Sequence, residues 1–90
     1  MELEEIRQEI DRIDTKIIGL LSKRAKLVIK AGKLKKDEQG VRDPKRVEQV
    51  INKVKLKAAE VGLDPYIAEQ IYRAIISCFI DRELKEFKSE

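Results

Sequence analysis

The first third of the chain reads IRQEIDRIDTKIIGLLSKRAKLVIKAGKL over residues 6–34. Its apolar residues recur in alternating steps of four and three, the spacing of a single seam along an α-helix. The seam consists of Ile6, Ile10, Ile13, Ile17, Leu20, Leu27, Ala31 and Leu34. This pattern predicts one long helix from residue 3 to about residue 36. Glutamates in its first turn and lysines in its last agree with the helix dipole.

A helix of that length is too long for so small a chain to cover. It would approach about 50 Å at about 1.5 Å per residue, whereas ninety residues form one small domain, here residues 1–90. The isoleucine seam would stay in water unless a second chain packed on it. We therefore predict a homodimer in which a second copy of the chain covers the seam.

The rest of the sequence predicts two further helices. Residues 37–42 form a joint, after which Asp43-Pro44 supplies the N-cap and the first residue of the second helix. That helix ends at Gly62, and Asp64-Pro65 repeats the same start signal for the third helix. No segment reads as a strand. The predicted fold class is all-α, with three helices in each chain.

Arg24 occupies a position of the first helix where the seam requires an apolar residue. A guanidinium there is costly unless a well-placed anion meets it. Two explanations are open, because either an acidic residue of another helix or a ligand could supply that anion. Lys35 follows eleven residues later, so on a continuous helix both cations would face one side, roughly 16 Å apart. Lys35 also fits a plain lysine at a helix C-terminus.

Arg7 precedes Arg24 by seventeen residues, about 25 Å along the helix, and cannot reach the same anion from its own chain. If two such helices pair in antiparallel fashion and cross near residues 18–19, Arg7 of one chain lies opposite residues 29–31 of the other. The dimer would then hold two equivalent sites, each bordered by three cations from two chains. For Arg7 alone, a solvated surface position is the plainer alternative.

Glu83 is the corresponding outlier of the third helix. It interrupts an apolar face that otherwise carries Tyr72, Ile76, Phe79 and Phe87. Glu83 either faces an enclosed site or reaches water near the end of the chain. On periodicity alone, the aromatic residues of this face belong to the core.

The composition excludes several classes of function. The chain has no histidine, a single cysteine and no Gly-rich phosphate loop, so most hydrolytic and redox chemistry lacks its residues and we predict neither metal nor cofactor. The net charge of +3 is spread among interleaved acids and bases, which argues against nucleic acid as a partner. An acidic N-terminus and the lack of a bilayer-length apolar run predict a cytoplasmic protein without membrane contact. Several cations beside apolar walls suit a small dicarboxylate substrate and a reaction that needs positioning and electrostatic stabilisation.

Three stretches of the chain resemble the all-helical chorismate mutase family. They are IRQEIDRIDTKIIGLLSKRAKLVIKAGKLK (6–35), VRDPKR (41–46) and GLDPYIAEQIYRAII (62–76). The resemblance covers about residues 3–87. It implies an intertwined dimer of three-helix chains, and the rearrangement of chorismate to prephenate in the biosynthesis of phenylalanine and tyrosine.

The resemblance also implies a role for each outlying charge. Arg7 would bind one substrate carboxylate from the partner chain, and Arg24 would bind the other within its own chain. Lys35 would donate to the ether oxygen of the breaking C–O bond, where negative charge grows in the transition state. Glu83 would hydrogen-bond the same oxygen, for which it must be protonated. Asp43 would bind near the ring through its backbone.

Two positions depart from the usual bacterial mutase pattern. Val47 stands where a glutamate usually accepts the ring hydroxyl, and Phe79 where a small polar residue often lies. The Arg46-Val47 pair and the stretch IISCFI (75–80) instead resemble the isochorismate pyruvate lyase branch of the same fold. Arg46 would also add positive charge at the mouth of the site. Asp43-Pro44 resembles ordinary mutases.

The leading prediction from the sequence is a chorismate mutase that acts as a homodimer with shared sites. A lyase that converts isochorismate to salicylate and pyruvate is the first alternative. A mutase of the 4-amino analogue of chorismate is the second. The third is a dimeric helical module without catalytic activity that regulates a partner enzyme.

Overall fold

The computed structural model describes residues 2–35 and 37–88, with side chains as far as Glu86. Its helices are α1 (Leu3–Gly32), α2 (Glu38–Arg42), α3 (Pro44–Glu60) and α4 (Pro65–Lys88). The helix α2 is only five residues long and lies within the predicted joint. The three helices that build the fold are therefore α1, α3 and α4. The described residues contain no strand, and the predicted all-α class is confirmed. Lys36 and the side chain of Phe87 lie outside the described part.

The first helix ends at Gly32, so the prediction that it reaches about residue 36 was wrong. The N–H groups of Leu34 and Lys35 donate to the carbonyls of Ala31 and Gly32, at 3.0 and 3.2 Å. These hydrogen bonds join residues three positions apart instead of four. The chain therefore leaves the α-helix in a tighter turn. The apolar periodicity continues to Leu34, but the α-helical hydrogen bonding does not. Lys35 is therefore placed by the turn after α1.

Local capping explains where α3 begins and ends. The Asp43 side chain accepts a hydrogen bond from the Arg46 N–H at 3.2 Å, and Pro44 is the first helical residue, as predicted. At the other end Gly62 adopts a left-handed φ of 78°. Leu63 N–H then donates to the Ala58 carbonyl at 2.9 Å, which is a Schellman cap. This confirms the predicted stop at Gly62.

The core lies between α3 and α4, and only the C-terminal part of the long helix approaches it. Its buried apolar residues are Val41, Ile51, Ala58, Ala68 and Leu84. No residue of α1 is buried, and the seam residues Ile6, Ile10, Ile13 and Ile17 are 40% to 55% exposed. The described chain measures 52 × 26 × 15 Å, because the first half of α1 projects beyond the other helices.

Within the described ranges, no helix combines the length and the apolar composition that crossing a bilayer requires.

Candidate active site

A cavity of about 320 Å³ opens between the C-terminal half of α1, the first half of α3 and the C-terminal half of α4. Its charged residues are Arg24, Lys35, Arg46 and Glu83. Its apolar wall consists of Leu27, Val28, Ala31, Val50, Ile76 and Phe79. Three cations from three segments of the chain thus meet one acid in apolar surroundings. This combination fits a small organic anion that carries a hydrophobic ring.

Arg24 reaches the cavity from α1, and no ion pair with an acid is seen for it within the described part of the chain. Its Nη1 atom is fully buried and has no hydrogen-bond acceptor in the described part of the chain. Among the side chains described, those of residues 2–35 and 37–86, no ion pair includes Arg24. The guanidinium carbon lies 5.0 Å from the centroid of the Phe79 ring, a cation–π distance. The structural ion pair considered from the sequence is absent from the described residues, so the buried donor can bind an external acceptor.

Lys35 and Glu83 form an ion pair at the edge of the same cavity. Lys35 Nζ donates to Glu83 Oε2 at 3.0 Å. Glu83 is 8% exposed and Lys35 is 27% exposed. A carboxylate buried to this extent requires a partner, and Lys35 provides it. The two groups that the resemblance assigns to the ether oxygen are therefore neighbours.

Gly32 makes room for the Glu83 carboxylate at the end of α1. A Cβ atom built on Gly32 would lie 3.2 Å from Glu83 Oε2, closer than side chains usually pack. The absence of a side chain at this position lets Glu83 approach the last turn of α1 and reach Lys35. A second cavity of about 200 Å³ shares Lys35 and Glu83 with the first but does not include Arg24. The larger cavity is therefore the candidate active site.

Five of the eight residues predicted from the sequence line this cavity, namely Arg24, Lys35, Arg46, Phe79 and Glu83. Arg7 does not, because it lies exposed in the projecting half of α1. Asp43 caps α3 and adopts a φ of 29°, so its backbone is held in an unusual conformation next to Arg46. Val47 is half-buried and does not line the cavity.

Apart from Phe79, sequence reasoning missed the residues of the apolar wall of the site. Leu27 and Ala31 belong to the seam of α1, and Val50 and Ile76 to the predicted apolar faces of α3 and α4. Their spacing predicted core positions. No sequence signal separates a core residue from one that lines a cavity within the core, because both lie on the same helix face.

Comparison with known proteins identifies the family. Residues 6–84 match the family described as chorismate mutase type II. The chain is 41% identical over 88 residues to a protein of Aquifex aeolicus (strain VF5) named bifunctional chorismate mutase/prephenate dehydratase. That alignment covers 93% of this chain and 24% of the Aquifex protein, so the chain spans about a quarter of that relative's length.

A second relative has a different activity in its name. The chain is 33% identical over 86 residues to the isochorismate pyruvate lyase of Pseudomonas aeruginosa (strain PAO1). This alignment covers 96% of the chain and 85% of the lyase. The family match extends over most of the sequence, and the second relative is aligned over most of its own length. The chain belongs to the chorismate mutase type II family.

Proposed function

We propose that this protein is a chorismate mutase, which binds chorismate in a compact, chair-like pose and rearranges it to prephenate. The observation that carries the proposal is the buried Nη1 of Arg24, which has no acceptor among the described residues, on a side chain that lines the same cavity as the Lys35–Glu83 pair. An unpaired buried donor costs about 1–3 kcal/mol. A substrate carboxylate would remove that cost on binding, which makes the site complementary to a carboxylate.

The cavity contains the groups that this rearrangement requires. The reaction breaks one C–O bond and forms one C–C bond within a single molecule, so no proton, electron or group is transferred to the protein. Catalysis then depends on holding the reactive pose and stabilising charge at the ether oxygen. Arg24 would hold a carboxylate, and Lys35 would turn part of its hydrogen bonding from Glu83 to the ether oxygen. A protonated Glu83 would donate to that oxygen as well.

A second copy of the chain would complete the site. The seam of α1 is exposed along its projecting half, and an antiparallel copy would bury it. The same pairing would bring Arg7 of that copy to the open side of the cavity, where it would hold the second carboxylate. Asp43 would contact the ring side of the substrate through its backbone. A single domain over residues 1–90, a cytoplasmic location and the lack of a cofactor stay predictions.

Isochorismate is the second candidate substrate, with the 4-amino analogue of chorismate behind it. Two observations favour a lyase that produces salicylate and pyruvate. The apolar ring of Phe79 is part of the cavity wall, and Val47 offers no acceptor for a ring hydroxyl. The relative named isochorismate pyruvate lyase supports this candidate too. A catalytically silent regulatory module is the remaining candidate, from a different class of function.

Product identification separates these candidates. The purified protein is incubated with chorismate and, separately, with isochorismate, and the products are separated and identified. We expect prephenate from chorismate. Salicylate with pyruvate would instead identify the lyase, and no turnover of either compound would leave the regulatory module. Lys35→Ala, purified in parallel, controls for contaminating host enzymes, because they would be equally active in both preparations.

A further inference from the structure

The guanidinium carbon of Arg24 lies over the ring of Phe79, 5.0 Å from the ring centroid. We propose that Phe79 is a positioning residue, whose ring fixes the orientation of Arg24 so that the N–H groups remain free for a substrate carboxylate. The inference rests on the proposed function. It concerns a position where the sequence departs from the usual mutase pattern.

The geometry of the guanidinium explains why an aromatic ring suits this task. All five N–H donors of an arginine lie in one plane and point outward from its edge. An acidic partner would bind that edge and compete with the substrate. The negative face of an aromatic ring attracts a cation that lies over it. Phe79 therefore partly offsets the burial of Arg24, and it carries no oxygen that would compete with the substrate for the N–H groups.

The neighbouring charges do not perform this task. Glu83, the acid that lines the cavity with Arg24, accepts a hydrogen bond from Lys35 and is paired with it. Arg46 is a further cation, so it repels Arg24 and cannot hold it. Arg24 Nη1 is buried and has no acceptor in the described residues. The contact that the structure records for the guanidinium is therefore the ring of Phe79. The side chain of Phe79 is itself half-buried.

A plain hydrophobic wall would not depend on the electron density of the ring, and this difference supplies the test. Phenylalanine with one, two or three ring fluorines is introduced at position 79 by site-specific incorporation. Fluorine withdraws density from the ring face with little change in shape. We expect KM for chorismate to rise stepwise, by about two- to thirty-fold at three fluorines. kcat should change much less, because Arg24 holds the carboxylate in the ground state and the transition state alike.

The same series in an Arg24→Ala background is the matched control, and there KM should not depend on fluorination. Phe79→Tyr should keep a KM near that of the unchanged protein, and Phe79→Leu should raise it. Thermal unfolding shows whether each variant is folded. If Phe79→Leu does not fold, the fluorinated series still tests the inference. If the enzyme is active and KM is the same across the series, the role proposed for Phe79 is wrong, whereas the proposed function stands. No turnover of chorismate or isochorismate by the unchanged protein would overturn the proposed function and this inference with it.

Discussion

Lys35 Nζ lies 3.0 Å from Glu83 Oε2, although the two residues are 48 positions apart in the chain. The contact joins the turn after α1 to the C-terminal part of α4. It brings together a cation and an acid at the edge of the candidate active site. The first two predictions concern the two members of this pair.

We expect Lys35→Ala to lower kcat for chorismate by about 10²–10³-fold, the usual effect of removing one donor from a developing oxyanion. Steady-state kinetics measures this change. Lys30→Ala is the matched control, because Lys30 is an exposed lysine of α1 that lines neither cavity. If Lys35→Ala kept full activity, the assignment of Lys35 to the ether oxygen would be wrong.

For Glu83 we predict that Glu83→Gln keeps mutase activity, because an amide can donate to the ether oxygen while its own oxygen still accepts from Lys35. Glu83→Ala removes both contacts and should lower kcat for chorismate. Steady-state kinetics of both variants and of the unchanged protein measures the difference. Arg24, Lys35 and Arg46 also face the site, and none of the three proteins differs in them. Equal loss of kcat in the two variants would count against a hydrogen bond from position 83 to the ether oxygen.

Mixing two impaired variants tests whether the site is shared between chains. At a chorismate concentration near the KM of the unchanged protein, Arg7→Ala and Arg24→Ala should each lose most mutase activity as homodimers, because each lacks one carboxylate contact in every site and has a raised KM. After mixing and subunit exchange, each mixed dimer should contain one site with both arginines, which restores about a quarter of all sites. Activity that stays at the level of the separate variants would contradict a shared site. Sedimentation of the unchanged protein as a folded monomer at micromolar concentration would contradict the dimer itself.

Asp43 combines an N-cap hydrogen bond with a left-handed φ of 29°. Asp43→Ala should lower the free energy of unfolding by about 1–2 kcal/mol, because alanine cannot cap α3 and tolerates this φ poorly. Asp43→Asn should be nearly neutral, since asparagine caps helices and enters the left-handed region readily. Urea unfolding measures both values. Equal stability of the two variants would show that the cap contributes little here.

An exposed ion-pair network on α3 and α4 predicts a change of stability with pH. A hydrogen bond from Arg73 Nε, at 2.9 Å, lowers the pKa of Glu69, and Lys55 adds to the effect. The folded protein therefore gains stability above the ordinary pKa of a glutamate and loses it as the pH falls through the lowered pKa.

Urea unfolding at neutral and acid pH tests this network. Glu69→Gln should be less stable than the unchanged protein at neutral pH, and the difference should shrink in acid. Glu60→Gln is the control, because Glu60 belongs to a more exposed pair with Lys57. A difference for Glu69→Gln that is the same at both pH values would contradict the linkage to Glu69.

The sequence by itself determined the helices and the family. The alternation of apolar steps in residues 6–34 and the caps at Asp43 and Gly62 are local signals, and local signals suffice to predict helices. The resemblance to chorismate mutases was confirmed by the family match over residues 6–84. Local periodicity misplaced only the end of α1, because an apolar pattern can continue past the last α-helical hydrogen bond.

Only the tertiary structure decided how the charged residues are paired. The sequence left open whether Arg24 meets an acid or a ligand, and the packing of α1 on α4 places it against Phe79 instead. The same packing brings Glu83 to Lys35 and leaves Val47 off the cavity wall. These contacts depend on the angle and the distance at which helices cross. The spacing of residues along one helix contains no information about either quantity, so the partners of Arg24 and Glu83 follow from packing alone.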